Sequence, residues 1–341
     1  MVFSGRCNLY TAAITGTGAY LPTRIMTNNE LESVVDTTDE WIVSRTGIKE
    51  RRLAAPNEAT SDLAYHAAMK ALESAGLAGA DIDAIIVATV TPDMLFPSTA
   101  CLLQSRLKAT KAVAFDLSAA CTGFVYGLEL ARHAIYAGTW RHVLVVGGET
   151  LSRIVDWQDR NTCVLFGDGA GAAVVSRGED GTHLGTPLMR ARILGVHLGS
   201  DGSQGDVLTM PAGGSRTPAT VESVLARQHF VHMNGQEVYK FAVRIVGEAA
   251  GDLLAKLGLG FGDIDYFIPH QANLRIIEGF TKRLKLAPEK VLINVEKYGN
   301  ISSGSIPIAL HEFAPTFKTG QKIMLIGFGG GLTWGACLLE W

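Results

Sequence analysis

An α/β fold built from two similar halves is predicted by three features of this 341-residue sequence. Strands alternate with helices, the order of elements in the first half recurs in the second, and glycine-rich turns punctuate both. Residues 62–76 read as the first clear helix, because Leu63, Ala67, Ala71 and Ala75 share one face and Gly76 stops it. The run Asp-Ile-Asp-Ala-Ile-Ile-Val-Ala at 81–88 follows as a buried strand. In the second half, residues 246–257 read as a helix, Gly258 as its stop, and Asp-Ile-Asp-Tyr-Phe-Ile-Pro at 263–269 as the matching strand.

The repeat can be traced by arithmetic. Gly76 and Gly258, Leu77 and Leu259, Asp81 and Asp263, and Asp83 and Asp265 are all separated by 182 positions. Residues 113–116 resemble 291–294 at an offset of 178, and 144–147 resemble 324–327 at 180. Gly171-Ala172 resembles Gly335-Ala336 at 164, so the first half carries about 16 additional residues, near 150–166. Matches that keep one order and one element type argue for a duplicated α/β unit with mixed or parallel sheets. The junction falls where Gly178, Asp180, Gly181, Gly185 and Pro187 cluster, dividing the chain into residues 1–183 and 184–341.

Composition narrows the function. Hydrophobic residues make up 47%, enough for a large core, and the net charge of −3 offers no global attraction for nucleic acid or an anionic membrane. No apolar run reaches the ~18 residues of a membrane span, and the N-terminus does not read as a signal peptide. A soluble cytoplasmic protein is the expectation. The five cysteines, Cys7, Cys101, Cys121, Cys163 and Cys337, are widely spaced and include no CxxC pair. Neither a disulfide framework nor a metal site is expected.

Cys121 stands apart from the other four. A strand ends near Asp116, and Phe124, Leu128, Ala131 and Ile135 mark a following helix, so Cys121 lies at the connection, beside the helix N-terminus. Unpaired N–H groups and the helix dipole there favour a thiolate. The other cysteines read as packing residues. His270 ends the second-half strand at a position equivalent to 88. Asn300, mapped back by 178 to 182, falls at 118–122, so it is expected to be the pseudo-symmetric counterpart of the nucleophile turn. The glycine run 328–331 ends another strand and can bring backbone N–H groups close to a reacting oxygen. It lacks the spacing of a dinucleotide fingerprint.

Taken together, several motifs resemble the β-ketoacyl-[acyl carrier protein] synthase III family of thiolase-fold condensing enzymes, over nearly the whole chain. They include Trp41-Ile-Val-Ser-Arg-Thr-Gly-Ile48, Ser118-Ala-Ala-Cys-Thr-Gly-Phe124, Leu165-Phe-Gly-Asp-Gly-Ala-Gly171, Pro269-His-Gln-Ala-Asn273, Tyr298-Gly-Asn300 and Gly329-Gly-Gly-Leu-Thr-Trp-Gly335. The resemblance implies a five-layer α-β-α-β-α fold, a homodimer and a Cys121–His270–Asn300 triad. It implies condensation of a short acyl-CoA, acetyl-CoA first, with malonyl-acyl carrier protein, without a cofactor, to start type II fatty acid synthesis. Backbone N–H groups of Cys121 and Gly330 would form an oxyanion hole. Trp41, Arg45, Arg160 and Asn273 would bind CoA, with Trp41 and Arg45 flanking the adenine and Asn273 lining the pantetheine tunnel. Phe96 would enter a second copy's acyl pocket, and Lys240, Arg275, Lys282 and Arg283 would face the carrier protein. The family's usual Thr-Ser-Ala after the asparagine is Ile301-Ser302-Ser303 here. Competing readings are a condensing enzyme or acyltransferase of specialised metabolism with another starter or acceptor, a non-catalytic acyl-thioester binding subunit, and a thioester hydrolase.

Overall fold

The computed structural model describes residues 10–178 and 191–341. Nine strands form one hydrogen-bonded series: β1 (Thr11–Tyr20), β2 (Ala84–Ala88), β3 (Val113–Leu117), β4 (His142–Thr150), β5 (Asp168–Gly178), β6 (Ala191–Ser200), β7 (Tyr266–Pro269), β8 (Lys322–Gly329) and β9 (Thr333–Glu340). Their spatial order is β7-β8-β9-β6-β1-β5-β4-β2-β3. Read outwards from the centre, β1-β5-β4-β2-β3 is answered by β6-β9-β8-β7, and an isolated bridge from Val291 to Phe267 supplies the counterpart of β3. The strands β2, β3 and β4 are mutually parallel, as are β7 and β8, whereas the central pairs are antiparallel. The chain position 183/184 lies outside the described residues.

Seven helices matter for the site: α1 (Asp39–Thr46), α2 (Thr60–Ala75), α3 (Thr99–Leu107), α4 (Gly123–Tyr136), α5 (Gly235–Leu257), α6 (Leu274–Arg283) and α7 (Ser305–Phe313). The helix read from 246 starts eleven residues earlier, at Gly235, where the Asn234 side chain caps it by accepting from the Glu237 N–H; Gly258, at φ +69°, ends it. The apolar positions Phe241, Ala242, Ile245, Val246 and Ala249 continue its buried face without a break.

Among the described residues, β1 and β6 of the two halves pair at Ala13–Arg192 and Ile14–Ala191. The helix α4 touches β2 of the first half and β8 of the second, strands far apart in the series. They can reach one helix only if the halves lie on its opposite sides. The molecule is therefore layered: α2 and α3 outside, the first-half strands, α4 and α7 in the middle, the second-half strands, then α5 and α6. This is the expected five-layer arrangement. Helix α2 packs directly on β1, because a Cβ on Gly18 would stand 2.2 Å from the Ala67 carbonyl oxygen.

The symmetry is closest around α4 and α7. Single turns of 3₁₀ helix at Ala120–Thr122 and Ser302–Gly304 precede them, and Ala120 and Ser302 adopt φ +46° and +45°. The offset here is 182, so Ser303 is the true counterpart of Cys121 and Asn300 precedes it by three residues. At this offset Asn300 answers Ser118, within the expected 118–122, so it belongs to the counterpart of the nucleophile turn. Gly147 of β4 lets the halves close: a Cβ there would lie 2.2 Å from the Ser303 carbonyl oxygen. Gly147→Ala is expected to cost about 1–3 kcal/mol of stability by overpacking, seen as a lower urea midpoint, with loss of Cys121 reactivity because the turn must move.

Candidate active site

Cys121 is buried at the entrance to α4, and the αL backbone of Ala120 before it turns the chain sharply from β3 into the helix. Its backbone N–H lies against Gly329, where a Cβ would come within 2.7 Å. That glycine run is tied to the nucleophile turn by Thr333, whose hydroxyl lies 3.1 Å from the Ala119 carbonyl, 3.2 Å from the Gly330 carbonyl and 2.9 Å from the Thr122 hydroxyl. Gly330 shares with Cys121 an apolar cavity of about 350 Å³, walled by Val90, Ile154, Phe166, Leu208 and Met210.

His270 follows β7, and its N–H donates to the Ile326 carbonyl at 2.7 Å. Gln271 fixes this strand end: its Nε2 donates to the Pro269 carbonyl and its Oε1 accepts from Asn294 and Val295. The imidazole sits edge-on to Phe328 at 5.2 Å and is 1% exposed. Its Nδ1 is buried without a partner. The tautomer with hydrogen on Nε2 is therefore assigned, since it avoids a buried N–H with no acceptor. Burial pushes the imidazole pKa down to about 3, so it is neutral at physiological pH.

Asn300 is held by a strip of parallel bridge: its N–H donates to the Leu165 carbonyl at 2.8 Å, and its carbonyl accepts from the Gly167 N–H at 3.0 Å. The side-chain Oδ1 accepts from the Ser302 N–H at 2.8 Å, which leaves the Nδ2 donors for an occupant of the site. Cys121, His270, Asn300, Phe328 and Gly329 line one small cavity of about 70 Å³. The structure thus brings the three residues together from three separate connections.

The ionisation of Cys121 departs from the sequence reading. Burial pushes the thiol up to about 12, the Ser302 side chain draws it down, and the Glu149 carboxyl pushes it further up. Removal from water outweighs the helix terminus, so the resting group is a thiol. Among the other cysteines, Cys163 and Cys337 are buried as expected. Cys101 is exposed on α3 and is no packing residue; the period of the helix turns it outwards. Cys7 lies outside the described residues.

Asn273, the N-cap of α6, lines both the small cavity and a neighbouring cleft of about 750 Å³ that includes Trp41, Arg45 and Arg160. Arg45 and Arg160 both stand over the Trp41 ring, at 4.8 and 4.9 Å. Arg275 borders the neighbouring opening with Arg45 and Tyr239. Lys282 and Arg283 occupy the last turn of α6, while Lys240 is paired with Glu237 at 2.8 Å. Phe96 is 85% exposed and does not line the Cys121 cavities of its own chain.

Three supporting residues escaped the sequence reading. Glu149, fully buried, accepts from Thr89, Val90, Thr91 and the Ser303 hydroxyl. Arg51, also fully buried, donates to Met26, Asn28 and Val164, bracing the strip that holds Asn300. Ser302 stands beside the sulfur. The only sequence signal for Glu149 is an acid closing an apolar strand, Leu-Val-Val-Gly-Gly-Glu149. Among the described residues there is no cluster able to hold a metal ion and no helix long and apolar enough to cross a membrane.

A duplicated α/β fold with a cysteine at one helix entrance, and a histidine and an amide facing it from the other half, defines a thiolase-fold acyltransferase. Comparison with known proteins makes this specific. The family model of 3-oxoacyl-[acyl-carrier-protein (ACP)] synthase III matches residues 115–202, and the model of its C-terminal part matches 254–341. The β-ketoacyl-[acyl-carrier-protein] synthase III of Caldanaerobacter subterraneus is 55% identical over 337 residues, covering 98% of this chain and 99% of its own. That of Desulfitobacterium hafniense is 52% identical and covers 98% of both. The crystal structure of 3-oxoacyl-[acyl-carrier-protein] synthase III from Aquifex aeolicus superposes with a TM-score of 0.87 at 46% identity, over 97% of this chain and 100% of that one. The chain belongs to the β-ketoacyl-[acyl-carrier-protein] synthase III family of condensing enzymes in fatty acid biosynthesis.

A neutral buried His270 links stability to pH. An unfolded histidine binds a proton below about pH 6.5, whereas the folded one does so only near 3, so this site favours unfolding as pH falls through that interval. Between pH 7 and 5 the loss is on the order of 2 kcal/mol. His270→Asn removes it, so the difference in urea stability between wild type and variant should shift by that amount in the variant's favour.

Proposed function

We propose that this chain condenses a short acyl-CoA, acetyl-CoA first, with malonyl-acyl carrier protein, using Cys121, His270 and Asn300. The carrying observation is that these three side chains, from two halves, line one cavity. The Cys121 sulfur attacks the thioester carbon, the bond to the coenzyme A sulfur breaks, and the thiol proton leaves on that sulfur. The developing oxyanion points at the backbone N–H groups of Cys121 and Gly330. Malonyl thioester then loses CO2. The enolate oxygen accepts hydrogen bonds from His270 Nε2–H and Asn300 Nδ2–H, and its carbon attacks the acyl-cysteine carbonyl. The carbon–sulfur bond breaks, and the Cys121 thiolate released takes up a proton from solvent. A neutral imidazole and an amide suit this step, since both donate to a forming oxyanion and neither adds negative charge. No cofactor is required by these steps.

Coenzyme A would lie along the 750 Å³ cleft, with its adenine slotting against Trp41 in place of one guanidinium and its phosphates meeting Arg45 and Arg160. The pantetheine arm would pass Asn273. Phe96, exposed here, would enter the 350 Å³ acyl cavity of a second copy in a homodimer and shorten it. Arg275, Lys282 and Arg283, with Lys240 at the edge, would meet the acidic carrier protein on the α6 face. The enzyme would work in the cytoplasm.

The test follows intact mass while acetyl-CoA and then malonyl-acyl carrier protein are added. Wild type should gain an acetyl group on Cys121 and lose it as β-ketoacyl-carrier protein forms. Cys121→Ala should do neither. His270→Ala and Asn300→Ala should acylate but condense at least ~100-fold more slowly, the usual cost of one oxyanion donor. Absence of an adduct with any acyl-CoA would refute the reading; an adduct only with longer or branched acyl-CoA would move the starter.

A further inference from the structure

Resting on that reading, we propose that Ser302 takes part in the reaction: its hydroxyl donates to the Cys121 sulfur as negative charge gathers there, while its backbone N–H keeps the Asn300 amide turned towards the malonyl enolate.

Three observations carry this. Ser302 is 3% exposed and holds φ +45°, in the left-handed region where a non-glycine residue is strained. Strain of this kind persists where the surroundings over-determine it, and it gathers at functional sites. Ser302 lines the 350 Å³ acyl cavity together with Cys121, and its hydroxyl is a side-chain donor to the sulfur there. The Ser302 N–H donates at 2.8 Å to Asn300 Oδ1, fixing which end of that amide faces the site. One residue therefore addresses both partial reactions through two different groups.

Ser302's counterpart in the first half, Ala120, has the same backbone and no hydroxyl. The αL turn alone therefore serves to lift the next residue towards the helix entrance, and the hydroxyl at 302 is an addition to it. The hydroxyl lowers the thiol's tendency to hold its proton, against burial. Hydrogen bonds to charged groups are the strong ones, and catalytic contacts commonly tighten only when charge appears.

The two roles separate by mutation, because side-chain truncation leaves the backbone N–H in place. Ser302→Ala and Ser302→Gly are measured for acetylation of Cys121 from acetyl-CoA, for the pH profile of Cys121 alkylation by iodoacetamide, and for CO2 release from malonyl-acyl carrier protein. Both variants should acetylate about ten- to a hundredfold more slowly, the effect of losing a hydrogen bond to a charged group. Their alkylation profiles should move to higher pH by about a unit or more. Decarboxylation should stay within about twofold. Glycine relaxes the φ of +45°, so Ser302→Gly should melt no lower than wild type. Acetylation and alkylation profiles matching wild type in both variants would overturn the inference. So would equal loss of acetylation and decarboxylation, which marks a structural role. A wild type that never acetylates, beside variants whose alkylation profile still shifts, would refute the condensing reaction and leave the Ser302 contact standing.

Discussion

Everything at this site depends on two backbone turns being pressed against each other across the axis between the halves. Each turn opens a central helix, and each begins with a residue in the αL region, Ala120 or Ser302. The approach is closer than any side chain on the facing strands permits. Gly147 stands against the Ser303 carbonyl and Gly329 against the Cys121 N–H, both at separations that a Cβ would violate. The glycines at these strand ends serve contact between backbones rather than flexibility. That contact sets how near Cys121, His270 and Asn300 can come, since each sits on a connection anchored to one of the two turns or to the strand beside it.

Close packing of the turns also dries the site, and dryness sets the charges. His270 is driven to its neutral form and Cys121 to its thiol by the same cause, burial. The resting pair is uncharged on both sides, and the cysteine differs from the thiolate that a helix N-terminus alone suggests. Charge then appears only with substrate, first at sulfur and the thioester oxygen, later at the enolate oxygen. The donors for those moments are already fixed by the fold: the N–H groups beside Cys121, the Nε2–H of His270 and the amide of Asn300. Preorganised donors in a dry cavity stabilise transient charge more than the same groups do in water.

Much of the architecture was legible in the sequence because apolar periodicity and helix-ending glycines act locally. Gly76 and Gly258 could be aligned without knowing any contact, and the 182-residue repeat led from them to two similar α/β halves, whereas the five layers came from the family resemblance. Cys121, His270 and Asn300 could be singled out for the same reason, each standing at the end of a readable element. What escaped was decided by tertiary burial. The thiolate expectation used only the helix, and the cost of removing the sulfur from water depends on residues as distant as Phe166 and Leu208. Arg51 and Glu149 look like surface charges in a one-dimensional reading. Only the fold shows that they are fully buried and hydrogen-bonded to backbone that supports the two turns.

The duplication also explains why the site is asymmetric. The residue equivalent to Cys121 is Ser303, at the same place on an equivalent turn. Its hydroxyl lies 2.7 Å from the Ala88 carbonyl and 2.8 Å from Glu149 Oε1, both contributed by the first half. That hydroxyl carries one hydrogen and is directed at two acceptors, both of the first half. Burial raises the Glu149 carboxyl, and the hydrogen bonds it accepts from Thr91 and Ser303 draw it down. The second turn's own nucleophile position is thereby committed to joining the halves. Its neighbours Asn300 and Ser302 are left to face the cysteine of the first, so one turn supplies the attacking atom and its duplicate supplies the hydrogen-bond donors.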